Sequence, residues 1–312
     1  MQTTTVIITG MPRSGTSFTA SLLQSAGLDI GQRLMAPGHG NEKGFFEDLQ
    51  IVDFHESVLL SQGIHPVGWT LRDDIRVEET HWAQAREYIR RNAVSRQWGW
   101  KDPRTTLFLD FWAELLPDAC FLFAYRAPWE VADSLFRRGD ESFAREPELA
   151  IQVWIHYNRL LLRFYDRFPQ RCLITSVYSA ARQTEHLIRA INTRFGTDLV
   201  LPPRDLFEQS LLHTGASEGY YPALVAQAFP QALALYRELN AREAQTGLAP
   251  VPFDTDRLEG NAVAAGAFRN WLLLRRHENT IKRLEAELEQ LRAQLEQGHS
   301  EVALPGHTSK EQ

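Results

Sequence analysis

Cysteine is scarce in this 312-residue chain, which has 2, Cys120 and Cys172. Each sits in an apolar run, so neither a disulfide framework nor a cysteine-based zinc site is expected. Long hydrophobic runs are missing too. No stretch approaches the roughly 18 consecutive apolar residues of a membrane-crossing helix. The first residues, Met1-Gln2-Thr3, lack the basic flank of a secretory signal, so a cytoplasmic protein is expected. Nor is there an excess of positive charge: 33 Lys and Arg face 39 Asp and Glu, a formal net charge of −6. That balance argues against a general nucleic-acid binder and leaves room only for a local basic cleft. The histidines, His39, His65 and His213 among them, show no metal-ligand spacing, and no metal is expected.

What is present is ordinary globular material, with 44% apolar and 23% charged residues, enough for a sizeable core. The length fits two domains or one α/β domain with an appendage. From Thr3 to about Gly196, short apolar runs alternate with helical ones, the pattern of a three-layer α/β fold whose mainly parallel sheet is flanked by helices. Strands are expected at Thr4–Thr9, in a short run ending at Trp100, at Cys120–Tyr125 and at Cys172–Val177. None alternates cleanly, as befits strands covered on both faces. Helices are expected at Thr16–Ser25, Thr105–Leu116, Pro128–Arg137, Glu148–Arg167 and Ala181–Phe195. Residues 197–265 are irregular and proline-rich, with one helix near Ala228–Ala241, and read as a cap or continuation of the sheet domain.

Further on, Leu274, Ile281, Leu284, Leu288, Leu291 and Leu295 mark a coiled-coil-like heptad seam, with His277 in one core slot. Such a stripe pairs with a partner or lies on its own domain. The expected partner is a second copy, through a 271–295 helix. The expected division is a main domain over 1–267, a helical extension over 268–297 and a disordered polar tail over 298–312.

The strongest chemical signal is Val6-Ile7-Ile8-Thr9-Gly10-Met11-Pro12-Arg13-Ser14-Gly15-Thr16-Ser17 followed by a helical run. A buried strand feeding a glycine-bounded turn and then a helix aims several backbone N–H groups at one point, and the helix dipole adds to that field. The pattern resembles the nucleotide loop G-x-x-x-x-G-K-[ST], except that Thr16 stands where the Lys belongs. Triphosphate chemistry uses that Lys together with Mg²⁺. Here the cation is Arg13, a permanently charged planar fork that suits a tetrahedral anion without a metal.

A second constellation follows Phe121-Leu122-Phe123-Ala124-Tyr125-Arg126, where Pro128 pre-sets a helix that carries Ser134. Arg126 and Ser134 can hold one phosphate from two directions, or Arg126 can form an ion pair with Glu130 or Asp133. Together the two constellations resemble the bacterial type of sulfotransferases that use 3′-phosphoadenosine 5′-phosphosulfate (PAPS), over about residues 4–196. Gly99-Trp100-Lys101-Asp102-Pro103-Arg104 is similar to the lysine-bearing strand end of bacterial members. The resemblance implies a P-loop-related PAPS-binding sheet. Pro12, Arg13, Ser14, Gly15, Thr16 and Ser17 would then hold the 5′-phosphosulfate, and Arg126 and Ser134 the 3′-phosphate. Tyr178 matches a position whose ring often lies near the adenine, though a surface aromatic fits it equally.

Sulfuryl transfer to a hydroxyl or amine is then expected to run in line, with Arg13 stabilising the leaving oxygen and Lys101 helping. A base must take the acceptor proton. Cytosolic relatives carry a His two residues after the equivalent of Lys101, where this chain has Pro103. The substitute is sought in Gly40-Asn41-Glu42-Lys43-Gly44-Phe45-Phe46-Glu47-Asp48, which resembles the segment bearing a catalytic Glu in bacterial and Golgi-type relatives. Glu47 is favoured because Phe45 and Phe46 can desolvate it. Glu42 is second, and Asp48, His55 and Asp102 are reserves. A small-molecule kinase and a catalytically silent adapter that assembles through the C-terminal helix are the competing readings. The acceptor stays open among glycans, lipids and small molecules. Trp69 and Trp82 could line it or fill the core.

Overall fold

A computed structural model describes residues 3–38, 44–202, 217, 221–250 and 265–301. Four short strands form its sheet: β1 (Thr4–Thr9), β2 (Gln97–Lys101), β3 (Cys120–Tyr125) and β4 (Cys172–Ser176). They pair in the order β2-β1-β3-β4, and every pairing is parallel. Because strand side chains alternate, Ile7, Phe121 and Phe123 enter one core while Val6, Ile8 and Leu122 enter another. Helices cover both faces, giving the expected three layers.

The helices in chain order are α1 (Thr16–Ser25), α2 (Leu49–Ser61), α3 (Glu79–Asn92), α4 (Leu109–Leu115), α5 (Pro128–Arg138), α6 (Glu141–Arg145), α7 (Leu149–Arg167), α8 (Val177–Arg182) and α9 (Thr184–Phe195). Beyond them lie α10 (Tyr221–Ala228), α11 (Pro230–Ala244) and α12 (Ala265–Glu301). Two expected helices differ from the reading above. Thr105–Leu116 divides into a 3₁₀ segment, Pro103–Phe108, and α4. Asp102 caps the 3₁₀ segment by accepting from the Arg104 N–H at 2.7 Å. The run expected at Ala181–Phe195 divides at Gln183 into α8 and α9, and α8 begins at Val177 because the Ser176 hydroxyl caps it by accepting from the Ser179 N–H at 3.1 Å.

The larger core lies on the face covered by α2, α5 and α7 and is built from aromatic rings. Trp100 and Trp112 sit 4.6 Å apart at its centre, and Phe121 meets Phe164 edge-on at 4.8 Å. Trp82 packs edge-on against Phe111, and Trp69 against Phe143, which places both tryptophans in packing contacts. The smaller core joins α1 and α9 to the opposite face through Leu22, Leu23, Leu187 and Ile191.

The strand order reverses at β1. The chain steps from β1 to β2 on one side and then crosses to β3 on the other. In an open α/β sheet the crevice at the carboxyl ends of two such strands is where ligands bind. Here that crevice lies between the turn after β1 and the start of α5. No helix among the described residues is long and apolar enough to cross a membrane. α12 runs unbroken to Glu301, past Gly298; residues 302–312 of the expected tail lie outside the described residues.

Candidate active site

The turn from β1 into α1 is shaped by two close approaches. A Cβ at Gly10 would stand 2.1 Å from the Ala124 carbonyl oxygen, so only glycine lets the turn lie against β3. Gly15 caps α1 at φ 86°, and a Cβ there would meet Val177 Cγ2 at 2.4 Å. Arg13 between them holds φ 74°, a left-handed conformation uncommon for a non-glycine residue. Such strain persists where the surroundings over-determine it, and it concentrates at functional sites. The Ser14 hydroxyl is fully buried and has no hydrogen-bond partner among the described residues.

Arg13 connects the turn to the second constellation. Its Nε donates to Ser134 Oγ at 2.9 Å, across 121 residues of chain. Burial first, then the charges of Arg138 and Arg126, lower the Arg13 guanidinium to about 10. Three guanidinium groups and the Ser134 hydroxyl therefore converge at the carboxyl ends of β1 and β3. Arg126 itself is buried and donates from Nε to Glu130 Oε2 at 2.8 Å. Its burial would lower its pKa, but Glu130 and Tyr178 outweigh that effect and raise it. Of the two ion-pair partners considered for Arg126, the fold supplies Glu130. Asp133 is engaged by Arg137 and by Arg275 of α12. Tyr178 lies in α8, half-buried, and donates its hydroxyl to Glu130, which also accepts from Ser217 Oγ at 2.5 Å.

A second network lies on the other side of the turn, at the end of β2. Lys101 is buried, and its ammonium donates to Ser17 Oγ at 3.1 Å, the Phe45 carbonyl at 3.0 Å and Glu47 Oε1 at 2.5 Å. Arg104 reaches the same carboxylate, Nη1 to Oε2 at 3.4 Å. The rings of Phe45 and Phe46 were expected to isolate Glu47; instead two cations hold its buried carboxylate. Phe46 turns away to pack on the smaller core.

The remaining acids of the expected base set have other duties. Asp48 is the cap of α2 and accepts from the Gln50 N–H at 2.9 Å. Asp102 accepts from both Arg104 and His55. Burial favours its neutral form, but Arg104 and then His55 hold the carboxyl below its ordinary range. The Trp112 indole donates to His55 Nε2 at 2.9 Å, which assigns the ring proton to Nδ1, facing Asp102 Oδ2 at 3.2 Å. Burial lowers the His55 pKa, so the ring is held neutral with both nitrogens engaged. His55 and Asp102 are thus tied to each other and to Trp112 and Arg104. Glu42, the second choice, lies outside the described residues, as do His39 and His213.

Arg104, Arg138 and Glu130 are the members given no site role by the motifs. Arg104 stands in the quoted motif directly after Pro103, and its charge there was the available signal. Arg138 ends α5 beside Arg137, where basic residues complement the helix dipole, so its position has a purely structural reason as well. Among the described residues no three His, Cys, Asp or Glu side chains gather as a metal-binding group.

The sequence profile of the sulfotransferase family matches residues 5–199, and the chain belongs to that family. No curated protein sequence matches it. Among solved structures, it is similar to a sulfotransferase from Mycobacterium tuberculosis H37Rv at 15% identity, with 68% of this chain and 72% of that one aligned and a TM-score of 0.43. It is also similar to the sulfotransferase domain of the curacin biosynthetic pathway, at 16% identity with 82% and 96% of the two chains aligned and a TM-score of 0.42. The sulfotransferase domain of a Synechococcus PCC 7002 olefin synthase aligns at 20% identity over 83% and 94%, with a TM-score of 0.40.

Proposed function

We propose that this sulfotransferase takes its sulfuryl group from PAPS and passes it to a hydroxyl or amine of the acceptor, with Glu47 as the base. The observation that carries the reading is the hydrogen bond from Arg13 Nε to Ser134 Oγ at 2.9 Å, which merges the turn and the Arg126–Ser134 pair into one electropositive crevice. A nucleotide with anionic groups on both sides of its ribose suits that crevice. The residues fit it in two ways. The orphaned Ser14 hydroxyl can donate to a phosphate oxygen, and an anion beside Arg13 offsets the burial and then the Arg138 and Arg126 charges that lower its guanidinium to about 10.

The donor supplies the sulfuryl group and departs as 3′-phosphoadenosine 5′-phosphate. Backbone N–H groups of the turn and the first turn of α1, with Thr16 and Ser17, hold the 5′ end. Arg126 and Ser134 hold the 3′-phosphate, and the Tyr178 ring flanks the base. Arg13 stabilises charge on the oxygen that leaves sulfur, a role worth about 10²–10³-fold in rate. Lys101 already touches Ser17 and Glu47, so it can shift one of its donors toward the same oxygen without leaving its place. Glu47 takes the proton that the acceptor hydroxyl loses as its oxygen bonds to sulfur. Lys101 and Arg104 hold that carboxylate in place.

Transfer of radiolabelled sulfate from PAPS to a panel of glycans, lipids and small hydroxyl or amine compounds tests the reading. Labelled product is expected from the wild type, with a loss of about 10²–10³-fold in Arg13→Ala. Equal turnover by the two proteins overturns the assignment of Arg13. Mg²⁺-dependent ATP consumption with no sulfate transfer overturns the whole reading in favour of a kinase.

A further inference from the structure

α12 is a helix of two characters. Its first turns are fixed to the sulfotransferase domain. Trp271 is fully buried, stacks on Tyr221 with centroids 4.0 Å apart and donates its indole N–H to Asp133 Oδ1 at 3.0 Å. Arg275 donates to the same carboxylate oxygen at 2.9 Å, and Asn279 donates to the Phe136 carbonyl at 3.3 Å. From Thr280 to Gln294 every residue is exposed on every face. A helix held by its own hydrogen bonds alone is marginal in water. This one also exposes Leu274, Ile281, Leu284, Leu288 and Leu291 to between 48% and 58% along a single stripe.

We propose that this stripe pairs with α12 of a second copy of the chain as a parallel two-stranded coiled coil. The seam places Leu274, Ile281 and Leu288 at one core position of the heptad and His277, Leu284 and Leu291 at the other; Ile281 with Leu284 is the pairing that favours two strands. The flanking charges choose the orientation. In a parallel pair Glu287 faces Arg292 of the second copy, and symmetry makes that attraction twice. An antiparallel pair that superposes the same seam instead sets Glu278 against Glu285, like charges, also twice. Because the start of α12 is bound to its domain, the parallel arrangement holds both catalytic domains at one end of the pair. None of these seam residues belongs to the crevice, so the inference stands whether or not PAPS is the donor.

Sedimentation equilibrium of the full chain at micromolar concentration is expected to return twice the chain mass. Leu284→Glu with Leu291→Glu is expected to return the single-chain mass. Glu287→Arg turns two attractions into repulsions and should weaken association about tenfold, and adding Arg292→Glu should restore it. All these positions are exposed, so the domain keeps its fold. Orientation is read from Leu291→Cys, since Cys120 and Cys172 are buried. In the parallel pair the two introduced thiols meet and form a disulfide between chains on mild oxidation. In the antiparallel pair they stand about 25 Å apart. A single-chain mass for the wild type overturns the proposal, whether the stripe then serves a different protein or the chain's own surface. A double mass that survives Leu284→Glu with Leu291→Glu overturns it equally, and a dimer without the Leu291→Cys disulfide overturns the parallel orientation.

Discussion

The two charged networks that flank the β1–α1 turn are built from similar side chains to different ends. On the β2 side, Lys101 and Arg104 face Glu47, Glu56 and Asp102, while His55 completes the set as a neutral ring. Every cation there has a carboxylate within 2.7 Å or less, and the network ties α2 to the end of β2. On the β3 side, three guanidinium groups crowd together; burial, then the charges of Arg138 and Arg126, push the Arg13 pKa down, and Asp140 opposes them. Glu130 pairs with Arg126, and Asp140 pairs with Arg138. The first network is a finished structure that also presents a carboxylate. The second gathers three guanidinium groups where the proposed donor would place its anionic groups.

If that contrast is right, the two sides respond differently to substitution. The largest expected effect is on the balanced side. Glu47→Gln keeps the shape but removes the proton acceptor, and turnover should fall about 10²–10⁴-fold with donor affinity retained. Unchanged turnover in a steady-state assay removes Glu47 as the base. On the β3 side, Arg126→Ala strands the buried Glu130 carboxylate and should cost about 3–5 kcal/mol in a urea melt. Arg126→Ala with Glu130→Gln should recover most of that stability without recovering donor affinity. Should the double variant bind donor normally, Arg126 serves only to hold Glu130.

The smallest effect is a slope of stability with pH. His55 is neutral in the fold with its pKa lowered, so below its ordinary value of 6.5 the unfolded chain binds the extra proton. Stability therefore declines as pH falls from 6.5, at up to about 1.4 kcal/mol per pH unit from this residue. Asp102, held below its ordinary 3.8, adds a second decline once pH falls beneath that value. Denaturant midpoints of His55→Asn between pH 6.5 and 4.5 should show a flatter slope than the wild type; parallel slopes contradict the neutral assignment.

The contrast also explains what could be read ahead of the structure. β1 and β3 were legible to the residue because each is an apolar run closed by a turn, Gly10 in one case and Arg126 to Pro128 in the other. The glycine-bounded turn from β1 into α1 was legible because its members are adjacent in the chain. α2 and α3 were not foreseen. α3 buries only Ala85 and Tyr88 fully, too few to mark a face, whereas α2 carries its own signal, an Asp48 cap followed by Ile51, Val52, His55, Val58 and Leu59 at helical spacing, which went unread. The Glu47 network was only half legible. Its partners lie 47 to 57 residues apart, and nothing local in Phe45-Phe46-Glu47 signals that one cation will arrive from the end of β2 and another from the 3₁₀ segment after it.

The most direct test is calorimetric binding of 3′-phosphoadenosine 5′-phosphate beside adenosine 5′-phosphate, which lacks only the 3′-phosphate. With one charge-assisted contact worth about 1.5–3 kcal/mol, the first compound should bind more than tenfold tighter. The advantage should shrink in Ser134→Ala and as salt rises. Equal affinities for the two compounds would contradict the account, since the β3-side guanidinium groups would then have no 3′-phosphate to hold.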